Sequence, residues 1–383
     1  MHFPSEEFDQ RLRFVQSDLA ALGLEGLLVF APESQYYLTG YDTFGFAMFQ
    51  CLVVPAKGAP HLLTREPDRR QALHTSTLGA DQVHIWVDQA DVNPYRELDT
   101  LLGKVGLHGK QLGIETRTAG LTAWHWQQLE GTLRHSVSLV EASDVVSLRR
   151  RVKSTTEIEY TRRAAQLSDD ALSAGLGITT AGAFEGDILA EMQGAVFRGG
   201  GDYAGNEFII GSGDGALLCR YFSGRRHLDP VDQLTLEWSG AYRRYHAAMM
   251  RTVIIGAATP KQMKMHEAAV EALLACEAAI RPGDPMGNVF DAHARVFDRY
   301  GLSDARMNAC GYGMGAVYNP IWVDFPMFYE GNPLVMEVGN VFFLHMILMD
   351  SDSRLAMCWG HSVLVTDSGI ERLSAHTLDL LVK

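Results

Sequence analysis

The stretch LTLEWSGAYRRYHAAMMRT, residues 234–252, reads as a strand, a short turn and a second strand. Strand alternation places His246, Ala248 and Met250 on one face, with Tyr245, Ala247 and Met249 on the other. Glu237, in the first strand, is expected on the same inward face as His246. A carboxylate beside an imidazole can work as an acid/base or nucleophile pair, because each shifts the other's pKa or fixes its orientation. A salt bridge on the sheet surface has the same spacing, and both readings stand at this point.

Working outward, the apolar runs NEFIIGSG (206–213), VFFLHMILM (341–349) and HSVLVT (361–366) predict further strands in hairpin-like order. Helices are predicted over 261–280 and 286–300, between the strand pairs. Helix pair, strands, helix pair, strands suggests an internal pseudo-repeat within an α+β domain built on an antiparallel sheet. Upstream the grammar differs. Leu12, Val15, Leu19 and Leu22 form one helical stripe that Gly23 can stop. The runs GLLVFA, CLVVPA, HLLT, QVHIWV and QLGIE then alternate with polar helical segments, as in an α/β domain. The charged bridge SLRRRVKSTTEIEY marks the boundary, with Ser154 or Thr155 placed to cap a long helix. The predicted domains are therefore 1–150 and 151–383.

Other motifs carry less. GSGDG at 211–215 lacks the spacing of a nucleotide loop and reads as a turn between strands; Gly199–Gly201 read as a helix cap and loop. His345 interrupts a very apolar strand, where an unpaired polar group costs roughly 2–7 kcal/mol, so it needs a partner or a purpose. His361 opens another apolar strand, and a strand-end contact would explain it equally. The Gly-rich segment NACGYGMGAVYNPIWVDFP (308–326) holds Tyr312, Tyr318, Trp322 and Asp324, which can wall a small-ligand pocket or simply make a structural loop.

The chain has 383 residues, 47% of them apolar and 21% charged, enough for two full cores. Its net charge of -13 comes without any block of lysine or arginine, which argues against nucleic acid and anionic membrane as partners. The five cysteines (51, 219, 276, 310, 358) show no C-x-x-C spacing and fit a reducing compartment. MHFPSEEFDQRL is too acidic for a signal peptide and no apolar run nears bilayer length, so a cytoplasmic protein is expected.

LLVFAPESQYYLTGY (27–41), SLRRRVKSTTEIEYTRRAAQLSDDAL (147–172), AAIRPGDPMGNVFDAHARVFDRYG (278–301), GYGMG followed by FP, GNVFFLHMIL (339–348) and GHSVLVTDSGIERLS (360–374) occur in one order. Together they resemble the pita-bread superfamily in its two-domain creatinase/prolidase form. The resemblance covers nearly the whole chain. It implies an α/β N-terminal domain followed by an α+β pita-bread domain with the creatinase/aminopeptidase fold. The family's peptidases hold two divalent ions through two aspartates, a histidine and two glutamates. At those positions this chain has Glu237, Ala248, Tyr312, His345 and Gly360, the last beside His361. One carboxylate with neutral imidazoles cannot neutralise two dications at short range.

The resemblance to the metal-lacking creatinase and ectoine-hydrolase branch therefore implies a metal-independent hydrolase of a non-peptide C–N bond in a small carboxylated metabolite, needing no cofactor. On that reading Glu237 is nucleophile or general base, His246 and His345 relay protons, and Tyr312 stabilises charge. Arg220 stands where creatinase has its basic histidine and is suited to a substrate carboxylate. His361, Trp322, Asp324 and Tyr318 are further pocket candidates. Alternatives are a single ion on Glu237, His246 and His345 serving peptidase or lyase chemistry, or an inactive binding subunit. The family form implies a homodimer.

Overall fold

The computed structural model describes residues 1–220 and 224–383, and falls into two compact units, Met1–Arg150 and Arg151–Lys383. In the first, strands β1 (Gly26–Val29), β2 (Cys51–Pro55), β3 (His61–Arg65), β4 (Val83–Trp86), β5 (Gln111–Ile114) and β6 (Ser138–Glu141) form one sheet in the order β4-β3-β2-β1-β5-β6. The β1–β2 and β2–β3 pairs are antiparallel and the other three parallel. Helices α1 (Ser5–Ala21), α2 (Pro32–Thr39), α3 (Arg69–Thr75), α4 (Pro94–Lys104), α5 (Ala123–Leu133) and α6 (Asp144–Arg150) accompany it. Two apolar clusters result, one holding Val15, Leu27 and Val146, the other Leu28, Leu98 and Leu129. Strands buried on both sides read as continuous apolar runs, which is why β1, β2 and β5 stood out in the sequence. β6, SLVE, is half exposed and did not.

The second unit opens with α7 (Thr155–Ile178) and α8 (Glu185–Arg198), then β7 (Ile209–Ser212), β8 (Asp232–Tyr242) and β9 (Tyr245–Ile255). Helices α9 (Pro260–Ala279) and α10 (Gly287–Arg299) precede β10 (Gly311–Gly313), β11 (Asp324–Met327), β12 (Val341–Asp350), β13 (Leu355–Thr366), β14 (Gly369–Arg372) and β15 (Leu381–Val382). The main path runs β11-β10-β12-β13-β9-β8-β7, antiparallel throughout, with β14 on β13 and β15 parallel to β9. Helix pair followed by strands thus recurs in element order, and the β9–β13 pairing joins the two halves. GSGDG is not a turn between strands: after β7 the chain takes a short 3-10 helix over Gly213–Leu217, and β8 begins only at Asp232.

Ser154 caps α7 in a reciprocal box, its Oγ accepting Glu157 N at 3.3 Å while Glu157 Oε2 accepts Ser154 N at 2.8 Å. The helix then lies tight on the β8–β9 hairpin. Ser168 Oγ accepts Gly240 N at 2.6 Å and donates to Ala247 O at 2.5 Å, and Trp238 Nε1 donates to Ser168 O at 3.0 Å. At the hairpin tip Arg243 (φ 50°) and Arg244 (φ 69°) are both left-handed, as a two-residue turn matched to strand twist requires. Their guanidinium groups sit over the Tyr160 and Tyr318 rings, at 4.7 and 4.9 Å from the centroids.

Candidate active site

The register of the second sheet decides which side chains can meet. Glu237 pairs with Met250, Met250 with Gly360, Gly360 with His345, and Tyr312 with Phe343. Opposed residues share a face and alternate residues return to it. Glu237, Ala248, Tyr312, His345 and Gly360 therefore all point to one side of the sheet. On that side a cavity of about 200 Å³ is lined by Arg220, Glu237, Tyr312, Trp322 and His345, with Asn206, Cys219, Met307, Ile321 and Ile347 among its other walls.

Glu237 is the cavity's carboxylate. Burial pushes its pKa up to about 7, against the pull of the Arg220 guanidinium and a hydrogen bond from Tyr312. The Tyr312 phenol is pushed well up by burial and by the neighbouring Glu237 charge, so it stays protonated. Its oxygen accepts the Trp322 indole N–H at 2.8 Å. His345 is 7% exposed and its Nδ1 has no hydrogen-bond partner among the described residues. Burial pulls its pKa down to about 4, so the ring is neutral at pH 7 and offers hydrogen bonds rather than charge. Arg220 lies exposed at the cavity wall and supplies the positive charge.

Four residues expected at the site lie elsewhere. His246 does share the face of Glu237, but it sits four residues beyond Met250, roughly 13 Å along the strand at ~3.3 Å per residue. It is fully buried, with Nε2 accepting Gly205 N at 2.8 Å and Nδ1 set 3.3 Å from Gly315 O. It therefore cannot relay protons in the cavity or complete an ion site with Glu237 and His345. His361 follows Gly360 and so points to the opposite side, where its Nε2 lies 2.7 Å from Glu277 Oε1 and Arg372 also binds that carboxylate. Asp324 opens β11 outside the cavity, its Oδ1 accepting Phe325 N at 2.9 Å. Tyr318 is the platform under Arg244. Sequence reading missed Asn206, placed in an expected strand over 206–213 that begins only at Ile209, and Cys219 and Met307, which come from loops where no periodicity marks a face.

The donor set does not fit a pair of divalent ions. Ala248 offers a methyl group, and a Cβ at Gly360 would come within 2.4 Å of Leu344 O and 3.0 Å of the Phe343 ring, leaving no room for a carboxylate side chain. Among the described residues no group of three or more histidine, cysteine, aspartate or glutamate side chains is placed to hold a metal.

The two-unit architecture and this sheet define a creatinase/prolidase fold with a pita-bread C-terminal domain. The chain belongs to metallopeptidase family M24, whose family model matches residues 159–367, and a creatinase/prolidase N-terminal domain model matches residues 11–152. That membership makes it an enzyme of the hydrolase class. It is 28% identical over 398 residues to the ectoine hydrolase of Halomonas elongata, covering 100% of this chain and 98% of that protein. It is 22% identical over 268 residues to the Xaa-Pro dipeptidase of Pyrococcus furiosus, covering 66% of this chain and 74% of that one. The crystal structure of the Thermococcus sibiricus prolidase superposes with a TM-score of 0.88 at 20% identity, over 99% of this chain and 100% of that one, a likeness of fold. No helix among the described residues is long and apolar enough to cross a membrane.

Proposed function

We propose that this protein hydrolyses a non-peptide C–N bond, an amidine or cyclic amide, in a small carboxylated metabolite, without a metal ion. The observation that carries the reading is a single buried carboxylate, Glu237, with its pKa near 7, sharing its cavity with a phenol and an imidazole, while Ala248 and Gly360 on the same face of the sheet offer no ligand atoms in their side chains. An acid poised near neutrality exchanges protons readily at physiological pH. Glu237 either attacks the C=N or C=O carbon itself or takes a proton from the water that does, and the proton is then delivered to the departing nitrogen. Tyr312 donates to the carboxylate or to developing charge, and His345 hydrogen-bonds the substrate as a neutral ring. Arg220 binds the substrate carboxylate. Full-length similarity to an ectoine hydrolase supports this chemistry, and ectoine, a cyclic amidine bearing a carboxylate, is the first compound to assay.

Glu237→Gln is expected to lower kcat at least 100-fold on any compound the protein turns over, since acid/base groups contribute about 10²–10⁴. Near-normal turnover in that variant removes Glu237 from the reaction. The second reading, a metal-dependent Xaa-Pro peptidase, is favoured by similarity to the Xaa-Pro dipeptidase. Hydrolysis of Xaa-Pro dipeptides stimulated by added manganese or cobalt would select it. We further propose a cytoplasmic homodimer, for which light scattering should return twice the chain mass.

A further inference from the structure

An indole nitrogen is a donor only. In the Trp322–Tyr312 hydrogen bond of 2.8 Å the phenolic oxygen is therefore the acceptor, and the single proton of Tyr312 must be spent elsewhere. Both rings are buried, at 1% and 6% exposure, and Glu237 is the acid that lines the same cavity and faces the same side of the sheet as the phenol. The indole is itself held from behind. Asn206 Oδ1 accepts the backbone N–H of Trp322 at 3.1 Å, and Asn206 Nδ2 donates to Glu207 O at 2.9 Å. The preceding residue, Gly205, gives its N–H to His246 Nε2 at 2.8 Å. His246 Nδ1 faces Gly315 O at 3.3 Å, and its backbone N–H donates to the same oxygen at 3.1 Å. A carbonyl can only accept, so Nδ1 carries the proton and Nε2 is the acceptor. His246 thus ties the loop carrying Asn206 to the segment that follows Tyr312.

We propose that His246, Asn206 and Trp322 are positioning residues acting as one chain of hydrogen bonds, which holds the Tyr312 hydroxyl with its proton turned toward the Glu237 carboxyl before any substrate arrives. Accepting the indole hydrogen bond also makes the phenol a stronger donor, since linked hydrogen bonds polarise one another. The proposal rests on the reading of Glu237 as the reacting acid. It explains why a histidine with no access to the cavity is kept buried in a defined tautomer.

The test is the titration midpoint of Glu237, followed by carbon-13 NMR of glutamate carboxyl carbons in full-length protein, with its signal assigned by its loss in Glu237→Gln. Tyr312→Phe should raise the midpoint most. Trp322→Phe, which keeps an aromatic ring but removes the N–H, should raise it by roughly half a unit, the scale of one lost hydrogen bond. His246→Leu should act in the same direction, and His246→Gln, which keeps an acceptor near Nε2, should restore part of the shift. If His246→Leu does not fold, the Trp322→Phe result decides alone. A midpoint unchanged in folded Trp322→Phe overturns the proposal. If Glu237→Gln abolishes turnover while that midpoint stays fixed, the chain of hydrogen bonds fails and the functional reading stands. If turnover survives Glu237→Gln while the midpoint moves, the functional reading fails and the positioning chain stands.

Discussion

At the residue scale the site runs on the cost of burying charge. Glu237 has its pKa raised from 4.5 to about 7, so the folded state holds this proton more tightly than the unfolded chain does. The stability it contributes is present below pH 4.5 and is lost as pH rises through 7. Glu237→Gln should therefore be more stable than the parent at pH 8, by on the order of 2 kcal/mol, with the gap closing toward pH 5. Urea melts of both proteins at the two pH values measure this, and an equal or lower stability at pH 8 contradicts it. Glu237 was suggested as an inward group by strand alternation, and Tyr312 and His345 only by the family resemblance, since nothing periodic marked them. The position of His246 along its strand was not: alternation says which side a residue faces, and says nothing of how far it lies from its neighbour's pocket. His361 differs from Gly360 by one residue, and with a period of two that step moves a side chain through the sheet.

At the element scale, α7 and the β8–β9 hairpin are built for close approach. A Cβ at Gly240 would lie 2.1 Å from Ala164 O and 2.8 Å from Ser168 N, both backbone atoms that cannot rotate away. Gly240→Ala should cost about 1–3 kcal/mol by overpacking, read as a drop in the denaturant midpoint without a change in slope. It should also disturb Glu237, three residues earlier on the same strand, so residual activity should fall with stability. A neutral effect on the melt would mean the helix rides further from the sheet. The helices themselves were plain in the sequence. The helices expected over 261–280 and 286–300 end within one residue of α9 and α10, and Ser154, one of two expected caps, starts α7. Short pieces were harder. β10 is three residues and β6 is half exposed, and the loops that bring Asn206, Cys219 and Met307 to the cavity obey no period.

For the whole molecule, acid is the predicted weakness of the fold. Burial pulls His246 and His345 down to about 4 and His293 to about 3, the last with both ring nitrogens unpartnered among the described residues. Each binds a proton more readily when unfolded, so the stability from keeping these rings neutral is present above pH 6.5 and is lost as pH falls toward 4. Glu115 and Glu237, both raised to about 7, work the other way but are two groups against three. Thermal melts should fall steadily from pH 6.5 to 4.5, and His293→Phe should flatten that slope; a rising melting temperature over this interval would contradict the reading. The overall architecture was readable because whole strands, helices and their order carry it. The refitted cavity was readable only where side chains sit on regular strands. At the centre of the proposed chemistry, proton transfer by Glu237, without paired metal ions, drives the hydrolysis. The direct measurement is turnover of a cyclic amidine carboxylate such as ectoine by chelator-treated protein whose metal content is read by elemental analysis. Full turnover is expected with far less than one metal ion per chain; turnover abolished by chelation and restored with two bound divalent ions per chain would contradict a metal-free mechanism.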